Sequence, residues 1–196
     1  MDFAFTDDQN AIREGVRAVV TQFDDHYWLE RDEDGRFPHE FHRAMADGGW
    51  LGITMPEEYG GSGLGLTEAM VMINEVASHG GAMAAVSTVH INLFGPHPIV
   101  VFGKDAQKAR WIPRLVAGED KCCFGVTEPD AGLDTTRIRT FAKKVDGGYV
   151  VNGQKIWTTT AQQASKILLL TRTTALEDCA KPTDGLTIFY TDLDRS

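Results

Sequence analysis

The hydrophobic period of the chain changes once, at Gly118-Glu119-Asp120. Before that point apolar residues recur every three to four positions, as on an amphipathic helix. After it they alternate with polar ones, as on a half-buried strand. The expected architecture is therefore α+β: an all-α helical domain over 1–120, then an antiparallel β-domain over 121–196, barrel-like or sandwich-like. A length of 196 residues gives each part room for its own core.

Within the first part, Thr6-Asp7-Asp8-Gln9 has the form of a capping box. Ile12, Val16, Val19, Val20 and Phe23 follow as one stripe. Residues 24–35 read as a charged break. Phe37-Pro38 opens a second helix that turns Phe41, Ala44 and Met45 inward and stops at Gly48-Gly49. The glycine-rich segment 50–65 has neither GxxxxGK[ST] nor a GxGxxG register after a strand, so it reads as a connection rather than a nucleotide loop. A third helix from Leu66-Thr67 carries Ala69, Met70, Ile73, Val76 and Ala77 on one face. A small-residue helical run over 84–94 is broken by Pro96 and Pro98, and a last helix buries Trp111, Ile112 and Leu115.

In the second part, strands are expected at 121–127, 138–145, 149–152, 155–160, 166–171 and 186–192. Asp146-Gly147-Gly148 and Asn152-Gly153 supply hairpin turns. Ile138, Thr140 and Ala142 alternate with Arg137, Arg139, Phe141 and Lys143, as on a half-exposed sheet. No closing element is evident at Asp194-Arg195-Ser196, which leaves an open edge.

Composition narrows the function. Nineteen basic residues against 28 acidic ones give −9, which argues against a nucleic-acid or anionic-membrane surface. No apolar run reaches the roughly 20 residues of a membrane span. The acidic start at Met1-Asp2-Phe3 resembles neither a signal nor a transit peptide. Cys122, Cys123 and Cys179 lack CxxC spacing, so no disulfide framework or zinc site is expected, and a reducing compartment fits. His39 and His42 share a helical spacing without a third ligand and read as surface histidines.

Two segments carry chemistry. Gly125-Val126-Thr127-Glu128-Pro129-Asp130-Ala131-Gly132-Leu133-Asp134 is a strand end running into a turn, with Glu128 read as supporting that turn. Gln154-Lys155-Ile156-Trp157-Thr158-Thr159 is an aromatic flanked by hydroxyls. Together, threonine hydroxyls, main-chain N–H groups and an indole could grip a flat heterocycle with polar edges. Spacing alone favours strand–turn–strand punctuation in an antiparallel sheet.

These segments, Val126-Thr127-Glu128-Pro129-x-Ala131-Gly132-x-Asp134 and Asn152-Gly153-x-Lys155-x-Trp157-x-Thr159, resemble the acyl-CoA dehydrogenase family in order and spacing. The loop at Pro56-Glu57-x-Tyr59-Gly60-Gly61-x-Gly63 and the phrase Gly103, Gln107, Lys108, Trp111, Pro113 extend the resemblance over nearly the whole chain. It implies FAD as cofactor and α,β-desaturation of an acyl-CoA thioester, as in fatty-acid β-oxidation. Phe124, Gly125, Val126 and Thr127 would then line the pyrimidine side of the flavin. Gly132 and Leu133 would stand nearby, and Trp157, Thr158 and Thr159 on the other flank, with the Thr159 hydroxyl toward the hydride-accepting nitrogen.

Two positions depart from the family. Leu133 replaces a usual Ser or Thr and cannot donate a hydrogen bond to the substrate, and Arg137 replaces a small residue. The family also runs to roughly twice this length, and its catalytic Glu is expected beyond Ser196, leaving no catalytic base in this chain. The resemblance further implies an electron-transfer flavoprotein as partner and a homodimer or homotetramer. The compartment it implies is a bacterial cytoplasm or a mitochondrial matrix. Rival expectations are an acyl-CoA oxidase, a flavin monooxygenase relative, or an inactive truncated fragment.

Overall fold

A computed structural model describes residues 4–194, so Met1-Asp2-Phe3 and the last two positions of Asp194-Arg195-Ser196 lie outside the described residues. The described residues form two compact units, one running up to Asp120 and the other starting at Lys121.

The first unit is helical. Helix α1 (Asp7–Val20) starts as its capping box requires, with the Gln9 N–H donating to Thr6 Oγ1 and the Thr6 N–H donating to Gln9 Oε1, both at 3.2 Å. Ile12, Val16 and Val20 make its buried stripe. The expected charged break is instead a helix, α2 (Asp25–Asp34). The Asp24 carboxylate accepts the Tyr27 N–H at 2.9 Å, and Gly35 ends the helix with φ of 66°. These two caps outweigh a poor apolar stripe in which Trp28 alone is buried.

Helix α3 (His39–Asp47) buries Phe41, Met45 and Ala46. It also buries His42, against the expectation of a surface histidine, while His39 stays exposed. Helix α4 (Leu66–Ala77) buries Ala69, Val71, Met72, Glu75 and Val76, and leaves Met70 and Ala77 exposed. The face is turned from the expected one because Glu75 points inward, where it accepts hydrogen bonds from Arg17 Nε at 2.7 Å and Arg13 Nε at 3.3 Å of α1. Phe41 centres the core, edge-on to Phe23 at 5.4 Å and to Trp28 at 5.1 Å.

Ala82–Phe102 is the one described segment long and apolar enough to cross a membrane by length and composition. Here it is divided into α5 (Ala82–Val89), α6 (Ile91–Phe94) and α7 (His97–Phe102), and half of its apolar window is buried inside the protein. Helix α8 (Asp105–Val116) closes the unit with Ile112 and Leu115 buried.

The second unit is a five-stranded sheet: β1 (Cys122–Gly125), β2 (Phe141–Val145), β3 (Gly148–Asn152), β4 (Lys166–Arg172) and β5 (Leu186–Asp192). The sheet is mixed rather than wholly antiparallel. Strand β4 is its centre, pairing antiparallel with β5 along its length and parallel with β1, Cys122 opposite Lys166 and Gly125 opposite Leu169. It also meets β2 in parallel at the single pair Phe141–Arg172. The β2–β3 hairpin turns at Asp146-Gly147, with Gly147 at φ 80°, as its sequence requires. The sheet is open, not a closed barrel. Ile138, Thr140 and Ala142 are buried and Arg137, Arg139 and Lys143 exposed, although the strand itself begins only at Phe141.

Arg172 is 2% exposed at the end of β4. Its guanidinium donates to Ile138 O at 2.8 Å and Pro182 O at 2.7 Å, and also to Thr136 O. One central side chain thereby holds the segment before β2 and the loop before β5. All three cysteines are free.

Replacing Phe41 by Ala is expected to lower the unfolding free energy by about 3–5 kcal/mol, as a cavity in a packed aromatic cluster requires. Urea unfolding followed by far-ultraviolet circular dichroism measures it.

Candidate functional site

Strand β1 delivers the first chemical segment. Gly125 packs tightly against β4, since a Cβ there would lie 3.0 Å from both Ile167 Cδ1 and Leu169 Cδ1. Beyond it the chain leaves the sheet but stays tied. The Val126 carbonyl accepts from Lys155 Nζ at 2.8 Å, and the Thr127 carbonyl accepts from the Ile156 N–H at 2.9 Å. Pro129 and Asp130 form a tight turn closed by two main-chain hydrogen bonds between Glu128 and Ala131. A Cβ on Gly132 would come no nearer than 4.0 Å to the Thr127 methyl group, so Gly132 stands beside the strand end with space around it. Leu133 is fully exposed, and Asp134 caps the one-turn helix Thr135–Arg137.

The second segment differs from expectation: residues 155–160 are a succession of turns, not a strand. Local preference favours a strand for Trp157-Thr158-Thr159-Thr160, but three anchors override it. Gly153 comes so close to Thr140 that a Cβ would lie 2.6 Å from the Thr140 Cα, and its φ of 155° suits glycine. Lys155 is drawn inward, and the Ala161, Gln163 and Ala164 N–H groups fold back onto Thr158 and Thr160 carbonyls. Asn152-Gly153 therefore leads into a long loop rather than a hairpin turn.

The loop holds Trp157 at φ 56° and Thr160 at φ 66°, two of the three non-glycine residues described with positive φ. For an indole-bearing residue this is a strained conformation that costs about 1–3 kcal/mol. Trp157 is also 87% exposed and Thr159 exposed, so the strain serves no core packing.

The two segments are joined at Glu128 and Lys155. Glu128 is 7% exposed and accepts the Arg139 N–H at 2.6 Å, the Thr140 N–H at 2.8 Å and Lys155 Nζ at 2.9 Å. Burial pushes its carboxyl upward, but hydrogen bonds from Thr140, Arg139 and Lys155 more than offset this and hold it at about 2. Desolvation pushes Lys155 below its ordinary value, against the attraction of Glu128. Sequence reasoning read Glu128 as a turn support and gave Lys155 no role. The available signal was Lys155 as the one cation of its segment, but nothing in the sequence set Glu128 apart from Asp130 and Asp134 as its partner.

Hydrogen bonds thus bring Val126 and Thr127 against Lys155 and Ile156, immediately before Trp157, Thr158 and Thr159. Phe124 stays half-buried in β1 opposite Leu168. The exposed indole, flanked by threonine hydroxyls at a strand end, suits the face and polar edge of a flat heterocycle such as a flavin ring. Among the described residues, no group of three or more His, Cys, Asp or Glu could hold a metal ion.

Two outcomes follow from the ion pair. Glu128→Gln leaves a buried ammonium without a counter-charge and is expected to destabilise the fold at pH 7 by about 3 kcal/mol. Because the Glu128 carboxyl lies at about 2 rather than the ordinary 4.5, its stabilisation is complete above about pH 5.5 and disappears as pH falls toward 2. The unfolding free energies of the two proteins, measured by urea titration from pH 7 to pH 3, should therefore converge on the acid side.

Comparison with known proteins supplies the family. The family described as acyl-CoA dehydrogenase, N-terminal domain, matches residues 6–119, and acyl-CoA dehydrogenase, middle domain, matches residues 123–196. The mitochondrial isovaleryl-CoA dehydrogenase of Oryza sativa subsp. japonica is 32% identical over 187 residues, 94% of this chain and 44% of that protein. The butyryl-CoA dehydrogenase structure from Megasphaera elsdenii is similar with a TM-score of 0.85 and 30% identity, covering 98% of this chain and 50% of that one. A glutaryl-CoA dehydrogenase from Mycobacterium smegmatis in complex with FADH2 gives 0.83 and 26%, covering 96% and 46%. The chain spans about half the length of these relatives. It belongs to the acyl-CoA dehydrogenase family.

Proposed function

We propose that this chain forms the flavin-facing wall of an acyl-CoA dehydrogenase that desaturates an acyl-CoA thioester between its α and β carbons. The observation that carries this reading is Trp157, an exposed indole held at positive φ beside the hydroxyls of Thr158 and Thr159. FAD, when bound, accepts the hydride that leaves the β carbon. Phe124, Gly125, Val126 and Thr127 would hold one edge of the ring through main-chain groups and the Thr127 hydroxyl. Gly132 would allow close approach, and Trp157, Thr158 and Thr159 would cover and orient the other flank. Leu133, exposed and apolar, would meet the substrate by contact alone.

The residues of this wall bind and orient; they do not take the α proton. Glu128 is a carboxylate within the motif, but its low pKa and three donors make it a poor base. Asp134 accepts from the Thr136 N–H and caps a turn. The proposed base is therefore neither of these carboxylates. An electron-transfer flavoprotein is the proposed acceptor of the electrons, and a homodimer or homotetramer the proposed assembly. The proposed compartment is the cytoplasm of a bacterium or the mitochondrial matrix.

Titrating FAD into the chain and recording the visible flavin band tests this wall directly. Binding should perturb the band, and Trp157→Ala should weaken binding roughly tenfold, the scale of a lost aromatic contact. Anaerobic acyl-CoA should leave the bound flavin yellow. A band identical to free FAD would sink the wall reading, and bleaching would show that a base is present among these residues.

A further inference from the structure

A hollow of about 210 Å³ in the sheet unit lies against the Glu128–Ala131 turn. Pro129, Asp130, Gln154, Arg137 and Arg139 line it. The main chain that bears the two arginines is firmly held. Asp134 caps the turn before Arg137, Glu128 binds the Arg139 and Thr140 N–H groups, and Arg172 binds the Thr136 and Ile138 carbonyls. Ile138 and Thr140 are buried, and Arg137 and Arg139 alternate with them on the exposed side. The described ion pairs of the sheet unit are Lys155–Glu128 and Lys166–Asp192, and neither includes an arginine. Two guanidinium groups thus share one concavity on a chain whose net charge is −9.

We propose that Arg137 and Arg139 form a clamp in this hollow for the phosphate or pyrophosphate group of a nucleotide-bearing ligand. A guanidinium presents paired N–H donors that match phosphate oxygens, and two of them on a fixed backbone hold such a group with little ordering left to do. Two carboxylates also line the hollow. Glu128 is already met by two N–H groups and Lys155, so its charge is largely answered. Asp130 lies on the exposed turn and opposes an incoming anion. That opposition gives the clamp a signature, since removing the Asp130 charge should tighten it.

The clamp rests on the arginines; only the choice of nucleotide ligands rests on the proposed function, because FAD and CoA both carry a pyrophosphate. Calorimetric titration with inorganic pyrophosphate tests the clamp alone. The chain should bind it, Arg137→Gln with Arg139→Gln should weaken binding at least tenfold, and Asp130→Asn should strengthen it several-fold. Both arginine side chains are exposed, so thermal melting of the double variant should match that of the parent. Arg137→Lys should retain part of the affinity, keeping charge but losing the paired donors.

Parallel titrations with CoA, pantetheine, FAD and riboflavin identify the source. Loss of CoA affinity in the double variant with pantetheine unchanged assigns the substrate's phosphates, and the same split between FAD and riboflavin assigns the cofactor's. Pyrophosphate binding that disappears in the double variant, with no binding of CoA or FAD, supports the clamp while the proposed function fails. Pyrophosphate affinity that is absent, or equal in parent and double variant, overturns the clamp.

Discussion

The ion pair between Glu128 and Lys155 is the point on which the sheet unit's chemistry turns. One buried carboxylate holds the main chain at Arg139 and Thr140, while the ammonium bound to it also takes the Val126 carbonyl. Three separate stretches therefore meet at a single charge pair: the end of β1, the approach to β2, and the loop that carries Trp157. Such a pair is stable because its carboxylate is met by three donors, two main-chain N–H groups and the ammonium itself. Both side chains are largely withdrawn from solvent, so losing one partner leaves the other stranded. The strained φ at Trp157 becomes tolerable for the same reason, since the loop is anchored just before it, at Lys155 and Ile156.

Arg172 does comparable work without any carboxylate. Its guanidinium is buried at the centre of the sheet and surrounded by main-chain carbonyls, which makes it a cross-brace rather than an ion-pair partner. The segment 134–140 is thus gripped from two sides, by Glu128 through its N–H groups and by Arg172 through its carbonyls. A loop held in this way can present Leu133, Arg137 and Arg139 to a ligand with little loss of freedom on binding.

Much of this was legible in the residues. The capping box at Thr6 and Gln9, the buried stripe at Ile12, Val16 and Val20, and the hairpin at Asp146-Gly147 follow from local rules, and the structure contains them. Helix α2 was legible only through its caps, Asp24 and Gly35, because ten mostly charged positions give no apolar stripe to find. The face of α4 was misjudged because a periodicity of apolar residues has no place for a buried Glu75, whose inward turn is set by Arg13 and Arg17 on another helix. His42 was read as exposed for a related reason, since its burial depends on what packs over α3.

Sequence by itself determined the order of a helical part and a sheet part, the caps and turns, and the two segments that carry the resemblance to the family. Each of these is written in residues close together along the chain, where hydrogen-bonding reach and side-chain period act directly. Tertiary structure decided that β4 pairs in parallel with β1 and β2, and that Trp157-Thr158-Thr159 is a loop despite its preference for a strand. It also decided that Glu128 is an anchor and a poor base. Those outcomes depend on contacts that reach far along the chain, 27 positions for Lys155 with Glu128 and 44 for Cys122 with Lys166. No local preference carries the energy of a buried charge pair or the register of a parallel strand.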